Sequence, residues 1–157
     1  MESKKANYEY YEPRTIHESS LSPSIHSIFA SELQKHEEAF DFFGFATRMD
    51  LDNYNRNTKE GLHTTSLAGA WINIAYGFGG MRSDGEVLRF NPSIPKAWNS
   101  YSFRVMYKDA VLSIKVNKEN LNFTVINHMS VTVEIYDEKY NIDSQGLTIP
   151  LPQCWRG

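Results

Sequence analysis

An α+β fold follows from one change of period: apolar residues keep helical spacing up to about residue 85 and alternate as in strands beyond it. Two local signals support the division. Ser22-Pro23 sets a hydroxyl before a proline at a first helical position, where the missing N–H costs nothing. Asn117-Lys-Glu-Asn120, between two alternating runs, reads as a hairpin turn. The expected architecture is a helical block followed by a small antiparallel β-sheet or sandwich domain.

The helical block opens at Ser22, with Ile25, Ile28, Phe29 and Leu33 on one face. A second helix starts at Glu37 and Glu38, acids that suit the positive end of a helix dipole, and carries the stripe Ala39, Phe42, Phe43, Ala46 and Met49. The run from Leu67 to Phe78 is apolar nearly all round, so it needs partners on every side. Gly77, Gly79 and Gly80 then end it. Asp50 to Gly61 is a polar, turn-prone loop, too long for a plain connector. In the second half, Tyr101–Tyr107, Leu112–Val116, Leu121–Val125 and Val131–Ile135 form four successive strands of a meander.

Composition narrows the class. With 41% hydrophobic and 22% charged residues, the chain has a globular balance. A net charge of -3 argues against a general footprint for nucleic acid or an anionic membrane. The single cysteine, Cys154, cannot form an internal disulfide and fits a reducing cytoplasm. The opening residues lack the apolar core of a signal peptide, and no window approaches the ~20 apolar residues of a spanning helix. A soluble cytoplasmic protein is expected, with neither nucleic acid nor membrane as partner.

Chemistry concentrates in two segments that lead into helices, Thr15-Ile-His-Glu-Ser-Ser-Leu-Ser22 and Gly61-Leu-His-Thr-Thr-Ser66. Free N–H groups and the dipole at a helix start favour an anion, and His63 with neighbouring hydroxyls suits a phosphate or a carboxylate. The bland alternative is simple capping. His17, Glu18 and His26 raise the question of a metal. However, Leu21 stands where a His-Glu-x-x-His helix would need its second histidine, so no metal is expected. Asp50 and Asp52 lack the glycine and closing glutamate of a calcium loop and read as turn carboxylates. Gly77-Phe-Gly-Gly-Met-Arg82 follows a helix instead of opening one, so it is no dinucleotide fingerprint.

The same segments carry a resemblance. Tyr10-Tyr-Glu-Pro-Arg-Thr-Ile-His-Glu-Ser-Ser-Leu-Ser-Pro-Ser-Ile-His-Ser-Ile28, Arg48-Met-Asp-Leu-Asp-Asn-Tyr54, Gly61-Leu-His-Thr-Thr-Ser-Leu-Ala-Gly-Ala-Trp71, Gly77-Phe-Gly-Gly-Met-Arg82 and Ile94-Pro-Lys-Ala-Trp98 occur in that order. The chain thereby resembles the C-terminal portion of the maltose, kojibiose and trehalose phosphorylases of glycoside hydrolase family 65, maltose phosphorylases most of all. The resemblance implies that residues 1–82 are the last helices of an (α/α)6 catalytic barrel and that 83–157 form a C-terminal β-sheet domain.

It also implies an inverting reaction in which a disaccharide and inorganic phosphate give β-glucose 1-phosphate and a free sugar. A glutamic acid protonates the glycosidic oxygen while phosphate attacks the anomeric carbon from the opposite face. Ser19, Ser20 and His63, with Thr65 and Ser66 in second rank, map onto the phosphate pocket, and phosphate is a co-substrate with no further cofactor. Glu9, Glu12 and Glu18 do not match the segment that carries the acid, so no catalytic residue is expected in this chain and it should be inactive alone. The resemblance further implies a homodimer, or association of this chain with a missing N-terminal portion. A non-catalytic carbohydrate- or partner-binding module, using Tyr107, Tyr136 and Tyr140, is the alternative.

Overall fold

The computed structural model describes residues 2–54, 56 and 58–157, so Asn55 and Asn57 of the polar loop lie outside the described residues. The chain divides into two compact units, one ending at Asn73 and the other spanning Ile74–Gly157.

The first unit begins with helix α1 (Glu2–Tyr11), a segment to which the hydrophobic pattern assigned no element. Its residues are good helix formers, but Tyr8 alone is buried, so no stripe announces it. The Tyr8 hydroxyl donates to Glu38 Oε1 at 2.8 Å. Burial, and then that carboxylate, push the phenol's pKa far above its ordinary value.

Helix α2 (Ser22–Glu32) starts where Ser22-Pro23 predicts, yet no serine side chain caps it; the cap position is Leu21. The face it buries is also not the predicted one. Pro23, Ser24, Ser27, Ala30 and Ser31 are buried, while Ile25 and Phe29 are 50% and 38% exposed. Small side chains let neighbouring backbones approach closely, and Ser27 Oγ donates to the Ala39 carbonyl of helix α3 (His36–Asp52) at 2.8 Å.

Helix α3 buries Ala39, Ala46 and Met49 of the predicted stripe and ends at Asn53, whose φ of 51° is the left-handed conformation common after helices. Helix α4 (Thr64–Ile72) packs on the same group. Ser66 Oγ donates to the Ala46 carbonyl at 3.0 Å, and a Cβ at Gly69 would lie 2.3 Å from Ser24 Oγ. Leu67 and Trp71, expected to be enclosed, are 50% and 52% exposed.

The second unit begins at Ile74, and residues just before 83 contribute to its core. A π-helical turn (Asn73–Phe78) carries Ala75 and Phe78, which are buried along with Met81. The glycine motif then makes a tight approach. Gly80 has φ +59°, and a Cβ there would lie 2.3 Å from the Asn91 carbonyl oxygen.

Seven strands follow: β1 (Leu88–Phe90), β2 (Ser100–Tyr107), β3 (Ala110–Asn117), β4 (Asn120–Val125), β5 (Val131–Ile135), β6 (Glu138–Ile142) and β7 (Leu147–Pro150). The expected hairpin joins β3 and β4, with Asn117 Oδ1 accepting from the N–H groups of Glu119 and Asn120. The fourth strand departs from the prediction. β5 leaves the meander and pairs with β1 in parallel and with β6 antiparallel, and β7 takes the edge beside β4.

The two sheets, β1-β5-β6 and β2-β3-β4-β7, enclose one core of alternating inward residues. Phe90 and Phe123 meet edge to face across it, with ring centroids 5.3 Å apart. The unit is thus a mixed sandwich and not a purely antiparallel sheet. Among the described residues no helix is long and apolar enough to cross a membrane.

Candidate functional site

Both hydroxyl-rich segments lie where the sequence places them, at helix starts. Residues 17–21 form turns before α2; Ser19 is exposed, Ser20 is half-buried, and Ser19 Oγ accepts from the Leu21 N–H at 3.4 Å. His63 holds the cap position of α4, and at neither helix does the cap residue's side chain close the first turn. The Ser24–Gly69 approach lies about one turn into α2 and about one and a half turns into α4.

The five candidates divide by burial. Ser19 and Thr65 are exposed, and Ser20 and His63 are half-buried. Ser66, only 1% exposed, gives its proton to the Ala46 carbonyl and so ties α4 to α3.

His63 has a partner that the sequence reading missed. Its Nδ1 lies 2.5 Å from Asp50 Oδ1, and its backbone N–H donates to Asp50 Oδ2 at 3.0 Å. The side chains of His63 and Asp50 are 17% and 14% exposed, so the pair is largely shielded from solvent. An ionised carboxylate only accepts, so the bridging proton sits on Nδ1, and Nε2 is left for a ligand. The imidazole hydrogen bond, helped by the backbone N–H, holds the Asp50 pKa below its ordinary value despite an opposing contribution from burial. Asp50 had read as a turn carboxylate. The signal that could have found it is its place in Arg48-Met-Asp-Leu-Asp-Asn-Tyr54, a motif of the resemblance with no role attached. Its neighbour Asp52 is engaged elsewhere, accepting two hydrogen bonds from Arg48 at 2.6 Å each.

The residues weighed for a metal are also rearranged. His17 and His26 come together, with ring centroids 4.5 Å apart, but their acidic neighbour is Glu12, and Glu18 is exposed. Burial, and then His17, lower the His26 pKa.

Comparisons with known proteins agree with the two-part organisation. Residues 1–72 match the glycosyl hydrolase family 65 central catalytic domain, and residues 81–142 match the family 65 C-terminal domain. The chain is 44% identical to the maltose phosphorylase of Bacillus subtilis over 138 residues, covering 88% of this chain and 18% of that protein. It is 45% identical to the α,α-trehalose phosphorylase of Thermoanaerobacter brockii over 135 residues, covering 86% of this chain and 17% of that one. A solved structure described as a putative kojibiose phosphorylase from human microbiome superposes with a TM-score of 0.87 at 49% identity, over 94% of this chain and 22% of that one. The chain therefore spans about a fifth of the length of the relatives it matches. With two family domains matched in order and a fold shared at close to half identity, the chain belongs to glycosyl hydrolase family 65.

Proposed function

We propose that this chain is the part of an inverting α-glucoside phosphorylase that supplies phosphate-binding side chains and the C-terminal sandwich. In this reading α1–α4 are the last helices of an (α/α)6 barrel. The observation that carries it is the Asp50–His63 pair at the start of α4. The largely shielded Asp50 carboxylate on Nδ1 orients the ring, so that Nε2–H of a ring carrying both protons can donate to a phosphate oxygen. Ser19, Ser20 and Thr65 add hydroxyl donors, and the positive dipole ends of α2 and α4 favour the anion. Ser66 is left out of the pocket because its proton is committed to Ala46.

Phosphate so held attacks the anomeric carbon. The C1–O bond to the leaving sugar breaks as a C1–O bond to phosphate forms on the opposite face, and a glutamic acid outside this chain protonates the departing oxygen. Because the nucleophile is already an anion, its placement matters more than its activation. The half-exposed apolar side chains Ile25, Leu67 and Trp71 fit a reading in which further barrel helices cover them.

Phosphate titration followed by amide NMR tests the site. Saturable shifts are expected at Ser19, Ser20, His63 and Thr65. A flat response there sinks the assignment, and a response to maltose without phosphate would instead favour a sugar-binding module. With maltose and phosphate together, the 157-residue chain is expected to release no β-glucose 1-phosphate, and release would overturn the placement of the acid elsewhere.

A further inference from the structure

We propose that Glu12, His17 and His26 form a binding site for a divalent transition cation of the zinc class. Three elements converge to make it: the 3-10 turn Glu12–Arg14, the following loop with His17, and the first turns of α2 with His26. Each residue offers one ligand atom, and all three atoms lie within 4.8 Å of one another. His17 Nε2 is 3.7 Å from Glu12 Oε1. That is too long for a direct hydrogen bond, yet close to the ~3.3 Å between donors that share a tetrahedral ion with bonds of about 2.0–2.1 Å. The three ligand atoms are gathered at a spacing that an ion could bridge.

Two further observations point to a ligand. His26 Nδ1 is buried and makes no hydrogen bond, an arrangement that costs stability unless something fills it. His17 Nδ1 lies 2.8 Å from Ser22 Oγ. If Nδ1–H donates to that hydroxyl, the tautomer is fixed with the Nε2 lone pair toward Glu12, as outer contacts commonly do for metal-binding histidines. Two imidazoles and one carboxylate are a donor set suited to zinc, and three protein ligands leave a fourth position for water. Glu12 and His26 also line a cavity of about 480 Å³ with Tyr8 and Tyr11, which gives that fourth ligand room. The sequence pattern hid the site because Glu12 precedes the histidines and no single helix carries the three.

The test uses the full chain, dialysed against chelator and titrated with Zn²⁺ and then with Co²⁺. One equivalent should bind, and Co²⁺ should give the strong visible absorption of a low-coordinate site without a thiolate band. His17→Ala, His26→Gln and Glu12→Gln, each checked for retained far-ultraviolet dichroism, should weaken binding at least tenfold. His36→Ala, His128→Ala and Cys154→Ser should leave it unchanged. Absence of a stoichiometric site, or loss through His128 or Cys154 in place of the cluster, overturns the proposal. Should one cluster variant unfold, the other two still decide.

Discussion

Gly80→Ala is expected to unfold the sandwich unit some 15 °C or more below the parent chain. At φ +59° a side chain is strained, and its Cβ would sit 2.3 Å from the Asn91 carbonyl oxygen and 2.7 Å from the Asn91 nitrogen. Those are backbone atoms that cannot rotate away. The same stretch is pinned from both sides: Gly80 O accepts from the Asn91 N–H at 3.3 Å, and the Arg82 and Arg89 backbones exchange hydrogen bonds at 2.9 Å. Strain and overlap together should cost about 3–5 kcal/mol, which in a unit of this size corresponds to that shift in melting temperature. Gly44→Ala is the counterpart. It lies inside α3 with nothing within 4 Å of a new Cβ, so it should stabilise by about 0.5–1 kcal/mol. A thermal melt of Gly80→Ala matching the parent would refute the close-approach account.

His63→Ala is expected to weaken phosphate binding by about 10- to 100-fold, the effect of losing one hydrogen bond to a charged ligand. Calorimetric titration with inorganic phosphate would measure it, and unchanged affinity would remove His63 from the site. Asp50→Asn should act differently, because Asp50 meets the imidazole and not the phosphate. It should lower affinity less than His63→Ala and shift the pH dependence of phosphate binding. It should also alter acid unfolding. The Asp50 pKa is depressed in the fold, so its contribution is fully present above the ordinary value of 3.8 and is lost as pH falls through the lower folded value. In Asp50→Asn that part of the acid transition should vanish. An identical acid limb in both chains would show that the pair does not contribute.

Much of the organisation was legible because it is local. The Ser22-Pro23 start, the acids opening α3 and the Asn117–Asn120 turn each depend on a few adjacent residues, and the structure has the elements there. Burial was read less well. The pattern gave α2 an apolar inner face, yet Ser24, Ser27 and Ala30 face the neighbouring helices, because their small side chains permit closer packing than Ile25 or Phe29 would and the Ser27 hydroxyl finds the Ala39 carbonyl. α1 escaped detection because one buried tyrosine makes no periodicity.

By itself the sequence determined the change from helices to strands, the ordered motifs that place the chain in its family, and the candidate phosphate donors, since these are properties of spacing and residue type. Tertiary structure alone decided that Asp50 would hold His63, that Ser66 would turn to Ala46, that Glu12 would join His17 and His26, and that β5 would cross to the second sheet. Those outcomes depend on contacts between residues far apart along the chain, and no short window of sequence encodes which of many chemically adequate partners will be brought within bonding distance.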